Sequence, residues 1–194
     1  MLALPFTACS EQNEGEHDFT QYVNPFIGTA FTGHTFPGAT YPLGMMQPGP
    51  ETGNFSWEYC SGYFYDDERI NGFSQNRLNG TGCVDLGDLL LQPFSGAARD
   101  DLSSTFDKST EKASPGYYAV ELADNHVAVE ITTSPHVAFH RYTFADAGNE
   151  ACNVLADFQS GLVWQEEGLY THVLDNEVHF EGDRVITGYP CRTQ

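Results

Sequence analysis

Five prolines, Pro25, Pro37, Pro42, Pro48 and Pro50, fall within twenty-six residues of a stretch already dense in glycine. Each fixes φ, removes a backbone donor and clashes with the preceding helical turn, so "NPFIGTAFTGHTFPGATYPLGMMQPGPETGN" cannot carry a long helix. The same stretch holds Phe26, Phe31, Phe36 and Tyr41. A flexible linker would not spend so much apolar bulk. Residues 22–82 therefore read as ordered loops and short strands, with these four aromatics pinning them.

After Gly82 the period changes to two. "DLGDLLLQPF" reads as a buried strand. "GYYAVELADNHVAVEITTS" reads as a hairpin with Asp124-Asn125 at its turn and Val127, Val129 and Ile131 alternating inward. "HVAFHRYTF" and "CNVLADF" are further strands. "YTHVLDNEVHFEG" repeats the hairpin grammar around Asp175-Asn176, and "RVITGY" begins another strand. The polar run Ser103 to Ser114 reads as an exposed loop. Repeated strands with tight turns and no clear helix predict an all-β chain built as an antiparallel β-sandwich. With 194 residues and 26 aromatics there is enough apolar matter for one domain with a substantial core.

Charge narrows the partners. With 27 acidic and 8 basic residues the formal charge is −19, which repels polyanions, so nucleic acid and anionic membrane surfaces are poor partners. Neutral sugars and cations stay open. The five cysteines form no CxxC pair, which removes a zinc-ribbon pattern. His136 and His140 are four apart, but on a strand that spacing spans roughly 13 Å, too far for one metal. They read as surface or half-buried histidines. Asp66-Asp67-Glu68 lacks the spacing of a calcium loop and reads as a solvated turn. Asn54-Phe55-Ser56 and Asn79-Gly80-Thr81 match the N-glycosylation triplet and carry little weight in a chain that reads as bacterial.

At the start, "MLALPFTACSEQNEGEHD" places a short apolar stretch before Ala-Cys and an acidic tail. It resembles the end of a bacterial lipoprotein signal cut before Cys9, whose thiol would carry lipid; the alternative is a frayed start. On the lipoprotein reading residues 1–21 are a signal remnant and tether, the protein is exported to the periplasm or cell surface, and the folded domain is 22–194.

One aromatic cluster remains. "SWEYCSGYFY" packs Trp57, Tyr59, Tyr63, Phe64 and Tyr65 around Cys60, Ser61 and Gly62. Aromatic faces hold the C–H surfaces of sugars while amides, hydroxyls and charges reach their hydroxyls. Trp57, Tyr59, Gln75, Asn76 and Arg77 are suitable materials, although core packing accounts for them as well.

"YVNPFIGT", "GHTFPGATYPLGMMQPGP", "YCSGYFYDDERINGFSQNRLNGTGCVDLGDLLLQPF" and "SPGYYAVEL" together resemble the N-terminal domain of the family 92 glycoside hydrolases, bacterial exo-α-mannosidases best represented in Bacteroides-type organisms. Four blocks in the family's order carry the resemblance, which runs from about Tyr22 to Gly188. It implies a β-sandwich of the supersandwich, galactose-mutarotase-like type, followed by an (α/α)6 helical barrel. It also implies calcium dependence and inversion of configuration, with the acid and base carboxylates and the calcium held by the barrel. No catalytic residue and no metal ligand then falls in this chain, and a mannose-rich glycan and the barrel domain are its partners. The resemblance aims the "GHTFPGA" and "WEYCSGY" loops at the sugar, with Trp57 as stacking platform and His34 as hydroxyl partner. Tyr59, Cys60, Gln75, Asn76 and Arg77 stand behind them. Cys60 and Cys83 lie in neighbouring blocks and suit either a disulfide or two buried thiols. The family's sequence continues where this one runs into "PCRTQ", which reads as a fragment, a truncated gene or a frameshift, inactive alone. A free-standing carbohydrate-binding module and a remnant without function are the rival readings.

Overall fold

The longest alternating stretch of the sequence forms the best-paired part of the molecule. In the computed structural model, which describes residues 18–53, 56–80, 82, 85–145, 148, 150–164, 170–172 and 177–189, β7 (Tyr117–Leu122) and β8 (Val127–Thr133) make an antiparallel hairpin from Leu122↔Val127 to Tyr117↔Thr132. β6 (Lys112–Ser114) and β9 (Ala138–Phe144) extend it into a four-stranded sheet, β6-β7-β8-β9. A second sheet runs β1-β3-β4-β10, from Gly49–Glu51, Gly72–Ser74, Leu90–Ser95 and Cys152–Asp157. Both are antiparallel throughout. Three two-stranded ribbons complete the inventory: β2 (Arg69–Ile70) with β5 (Ser104–Thr105), β11 (Leu162–Trp164) with β12 (Tyr170–His172), and β13 (Glu177–Glu181) with β14 (Val185–Tyr189). Among the described residues there is no α-helix, only single 3-10 turns at Thr20–Tyr22, Trp57–Tyr59 and Lys108–Thr110.

The core lies between the two sheets. Period-two alternation puts Tyr118, Val120 and Leu122 on one face of β7, opposite Ile131, Val129 and Val127 of β8, and all six are buried. Phe73 of β3 reaches them from the other sheet, its ring 6.5 Å from that of Tyr118. Ile70, Phe106 and Ala39 close the cluster. Each such side chain contributes about 1.5–3 kcal/mol on burial.

A polar staple crosses the same gap. Gln75, just after β3, accepts through its amide oxygen from the Nε2 of His140 on β9 at 2.8 Å, and the His140 Nδ1 lies 3.0 Å from the Tyr142 hydroxyl. The Gln75 amide nitrogen donates to the Phe73 carbonyl at 2.9 Å. A neutral ring donating from Nε2 and accepting at Nδ1 satisfies all three groups. Burial holds the His140 pKa down, at about 4.

Several sequence expectations change here. Residues 103–114 are not an exposed loop: they form β5, a 3-10 turn and β6, and Ser104, Phe106 and Glu111 are buried. Their polarity is absorbed by bonds rather than by water. Asp124-Asn125 does lie at the hairpin turn, in the middle of a four-residue connection from Ala123 to His126. Asn125 points inward, donates to the Pro93 and Leu102 carbonyls at 3.1 and 2.9 Å, and accepts from Arg99. Asp124 accepts from the Thr105 backbone and hydroxyl, both at 2.9 Å, and these bonds hold its pKa below the usual carboxylate range. Phe31 and Tyr41 do not pin the proline-rich stretch: they are 81% and 48% exposed. Phe26 does, with its ring 6.5 Å from Tyr63 and 6.0 Å from Tyr65. On either side of 173–176, β12 pairs with β11 and β13 with β14, so the expected hairpin partners pair elsewhere. Its turn, like Cys9, Cys83 and Cys191, lies outside the described residues.

Replacing Phe73 by alanine removes the ring that joins the sheets, and chemical denaturation is expected to show a loss of about 3–5 kcal/mol. The histidine staple predicts a pH dependence. With 6.5 in the unfolded chain and about 4 in the fold, the unfolded state takes the proton first, so stability is full above pH 6.5 and declines as pH falls towards 4. The decline amounts to about 3 kcal/mol. It is read as the difference in denaturation midpoint between the parent and His140→Gln across that window, and parallel pH curves for the two would refute it.

Candidate functional site

The 3-10 turn Trp57–Tyr59 is too short to hide both of its sides. Ser56 enters it extended, Tyr59 N donates to Ser56 O at 3.0 Å and Cys60 N to Trp57 O at 3.2 Å. The turn drives Cys60 to 1% exposure and leaves Trp57 47% exposed. Beside it rises the loop that carries His34. Gly33 packs against the Gly28 backbone so closely that a Cβ there would overlap the Gly28 carbonyl. His34 itself takes a left-handed φ of +53°, unusual for a side chain of its size.

These two loops meet in one corner. The imidazole of His34 stands edge-on to the indole of Trp57, centroids 4.3 Å apart at 67°. Its Nδ1 lies 2.9 Å from Cys60 Sγ, and its backbone carbonyl accepts from the Ser61 hydroxyl. Its Nε2 is buried without a hydrogen-bond partner. With the thiol donating to Nδ1, Nε2 carries the hydrogen and is a buried donor without a partner.

Below the corner lies a buried ion pair. Arg77 is 4% exposed, and its Nε donates to Glu51 Oε1 at 2.7 Å while Nη2 donates to Oε2. The bidentate fork suits a carboxylate. Burial by itself would lower the arginine's pKa, but the Glu51 carboxylate outweighs it and the net shift is upward. Gly62, at φ +80°, lets the site turn close over the guanidinium: a Cβ there would sit 2.8 Å from Nε. Nη1 of Arg77 is buried without a partner.

Of the residues singled out by sequence, His34, Trp57 and Cys60 are in direct contact, and Arg77 adjoins them through Gly62. Tyr59 turns away: its hydroxyl donates to Asp67 at 3.2 Å and its ring packs on Phe64 at 5.7 Å. Gln75 spends both ends of its amide inside the domain, on Phe73 and His140. Asn76 is half-buried and bridges Gln47 through its backbone. Sequence reasoning missed Glu51, because nothing in "PETGN" marks an acid whose partner lies 26 residues later. An open cleft of about 420 Å³ runs along the His34 loop, walled by Phe26, Ile27, Phe31 and Tyr65 among others. Among the described residues no group of three or more His, Cys, Asp or Glu side chains converges as a metal site would require.

Comparison with known proteins gives this corner a context. The model of the glycosyl hydrolase family 92 N-terminal domain matches residues 22–194. An uncharacterized secreted glycosidase of Arthroderma benhamiae is 31% identical over 156 residues, 74% of this chain and 19% of that protein. A family 92 α-mannosidase of Bacteroides thetaiotaomicron, also solved in complex with mannoimidazole, superposes with a TM-score of 0.69 at 36% identity, over 73% of this chain and 20% of its own. A family 92 inverting mannosidase of Bacteroides thetaiotaomicron VPI-5482 shares the fold, with a TM-score of 0.60 at 19% identity over 89% of this chain and 28% of its own. The chain spans about a fifth of the length of the first two relatives.

The ion pair under the corner is testable by denaturation. Arg77→Met should cost about 3–5 kcal/mol because it strands the Glu51 carboxylate, whereas Arg77→Met combined with Glu51→Gln should recover most of that loss. Equal losses in both variants would show that the charge is not what matters.

Proposed function

The chain belongs to glycosyl hydrolase family 92, matching its N-terminal domain, and we propose that it is the sugar-facing domain of an exported α-mannosidase that acts on mannose-rich glycans. The observation that carries this reading is the Trp57–His34 corner: a half-exposed indole braced edge-on by an imidazole whose Nε2 has no protein partner. An indole face takes the C–H surface of a pyranose, and in this reading a small opening of the corner lets the buried Nε2 meet a hydroxyl oxygen at its edge. Cys60 holds the imidazole at Nδ1 and Ser61 holds the His34 backbone carbonyl, so the ring's aim is set before the sugar arrives. A neutral glycan also suits a chain of charge −19.

Hydrolysis itself needs two carboxyl groups, one protonating the leaving oxygen and one activating water, about 6.5–9.5 Å apart in an inverting enzyme. In this reading both belong to a helical-barrel domain, as does the calcium. The chain alone releases no mannose. Phe19, Tyr22, Ile27, Phe31, Leu43 and Met45 are all largely exposed, apolar surface of the kind a covering domain would bury. The secreted relative supports export, and Cys9 is the proposed lipid attachment. A free-standing carbohydrate-binding role rests on the corner being complete within this chain.

The test joins this chain to a family 92 barrel domain and follows mannose release. The joined protein should be active and the separate chain inactive. Trp57→Ala should lower kcat/KM about tenfold, equivalent to about 1.4 kcal/mol. An unchanged kcat/KM would remove Trp57 from the site. Mannose binding by the chain alone, with no gain of activity on joining, would favour the binding module.

A further inference from the structure

The loop that presents Trp57 is tied to the sandwich at a charged point other than the Arg77–Glu51 pair. Lys108, in the 3-10 turn before β6, puts its ammonium 4.9 Å from the Tyr63 ring centroid, 4.7 Å from that of Tyr65 and 4.6 Å from that of Phe106. Three aromatic faces around one cation make a cage. The ammonium also donates to the Tyr63 hydroxyl at 2.8 Å and lies 3.4 Å from Glu111 Oε2. Glu111, 2% exposed at its side chain, accepts from Tyr63 at 2.9 Å and from Tyr118 of β7 at 2.7 Å.

Both ends of the Trp57 turn lead to this point. Beyond the turn, Tyr63 and Tyr65 are walls of the cage. Within it, Tyr59 donates to Asp67, and Asp67 and Asp66 both act on Lys108 through their charge. The loop of His34 is tied in as well, since Tyr65 N donates to Thr29 O at 2.9 Å and Phe26 packs on Tyr63 and Tyr65. Burial pulls the Lys108 pKa below the ordinary lysine value against the pull of Glu111. A lysine held there for solubility would face water instead.

We propose that Lys108 is a positioning residue: its caged ammonium, seated on Glu111, fixes the 57–65 loop and with it the plane of Trp57. The consequence for sugar recognition rests on the reading of the Trp57–His34 corner given above. The positioning itself does not.

The experiment uses the full chain with Trp164→Phe, so that Trp57 is the sole tryptophan, and measures acrylamide quenching of its fluorescence alongside mannose binding by calorimetry. Lys108→Met is expected to raise the quenching constant about twofold with far-ultraviolet dichroism unchanged. Lys108→Met combined with Glu111→Gln removes the stranded carboxylate, keeps one acceptor oxygen and offers an N–H to the other tyrosine's hydroxyl oxygen, and is expected to show the same rise. Lys108→Arg, which restores a cation to the aromatic faces, should return the constant towards the parent's. Mannose affinity should fall about tenfold in the first two variants. Parent-like quenching in the folded double variant would overturn the proposal. Raised quenching in a chain whose parent binds no mannose would uphold the positioning and remove the sugar reading alone.

Discussion

A segment that five prolines keep out of helix has to be held largely by side chains, and a central group among those that hold it is the carboxylate of Glu111. It takes hydrogen bonds from Tyr118, on the hairpin at the centre of the core, and from Tyr63, in the loop region. Apolar contact is non-directional and sets no orientation, whereas this bond fixes one. With it, the order of the sheet is passed to the 60–65 segment, then through Thr29 and Thr52 to the neighbouring turns: Phe64 N donates to Thr52 Oγ1 at 2.9 Å and Thr52 N to Gly62 O at 2.8 Å. Burial and the adjacent carboxylate push the Tyr63 and Tyr118 hydroxyls far above the usual tyrosine range, so both remain donors across the ordinary pH scale.

The same logic recurs at each place where a loop meets a sheet. Glu51 ends β1 and pairs with Arg77, which follows β3. Asn125 ends the β7–β8 hairpin and reaches Pro93 of β4 and Leu102. Gln75 and His140 join the sheets at a third point. In each case a buried polar group is matched with directional partners, because leaving it unpaired would cost about 1–3 kcal/mol. The two exceptions near the candidate site, His34 Nε2 and Arg77 Nη1, stand out against that pattern.

Much of the framework was legible in the sequence. The hairpin of β7 and β8 announces itself because alternation at Val127, Val129 and Ile131 has one physical meaning: one face in, one face out. The exclusion of helix from 22–82 follows as directly from proline chemistry. The corner was legible in part, since Trp57, Cys60 and Ser61 lie in one short motif. His34 came into view only through the resemblance that the "GHTFPGATYPLGMMQPGP" block carries. The 103–114 stretch misled, because a polar residue that bonds inward has the same letter as one that faces water. Lys108 and Glu111 were passed over for that reason, and Phe31 and Tyr41 for the converse one, being apolar residues left outside.

By itself, then, the sequence determined the class of the fold, the strand positions of the β7–β8 unit, the acidic character of the surface, and the family. These are properties of local pattern and of composition, and they need no knowledge of what lies across the chain. The tertiary structure decided which residues share a site: that His34 rests on Cys60 and Trp57, that Arg77 is spent on Glu51, and that Gln75 serves the sheets. Those pairings join residues 20 or more positions apart along the chain, and their partners are chosen by strand register and loop closure, which no short-range pattern encodes.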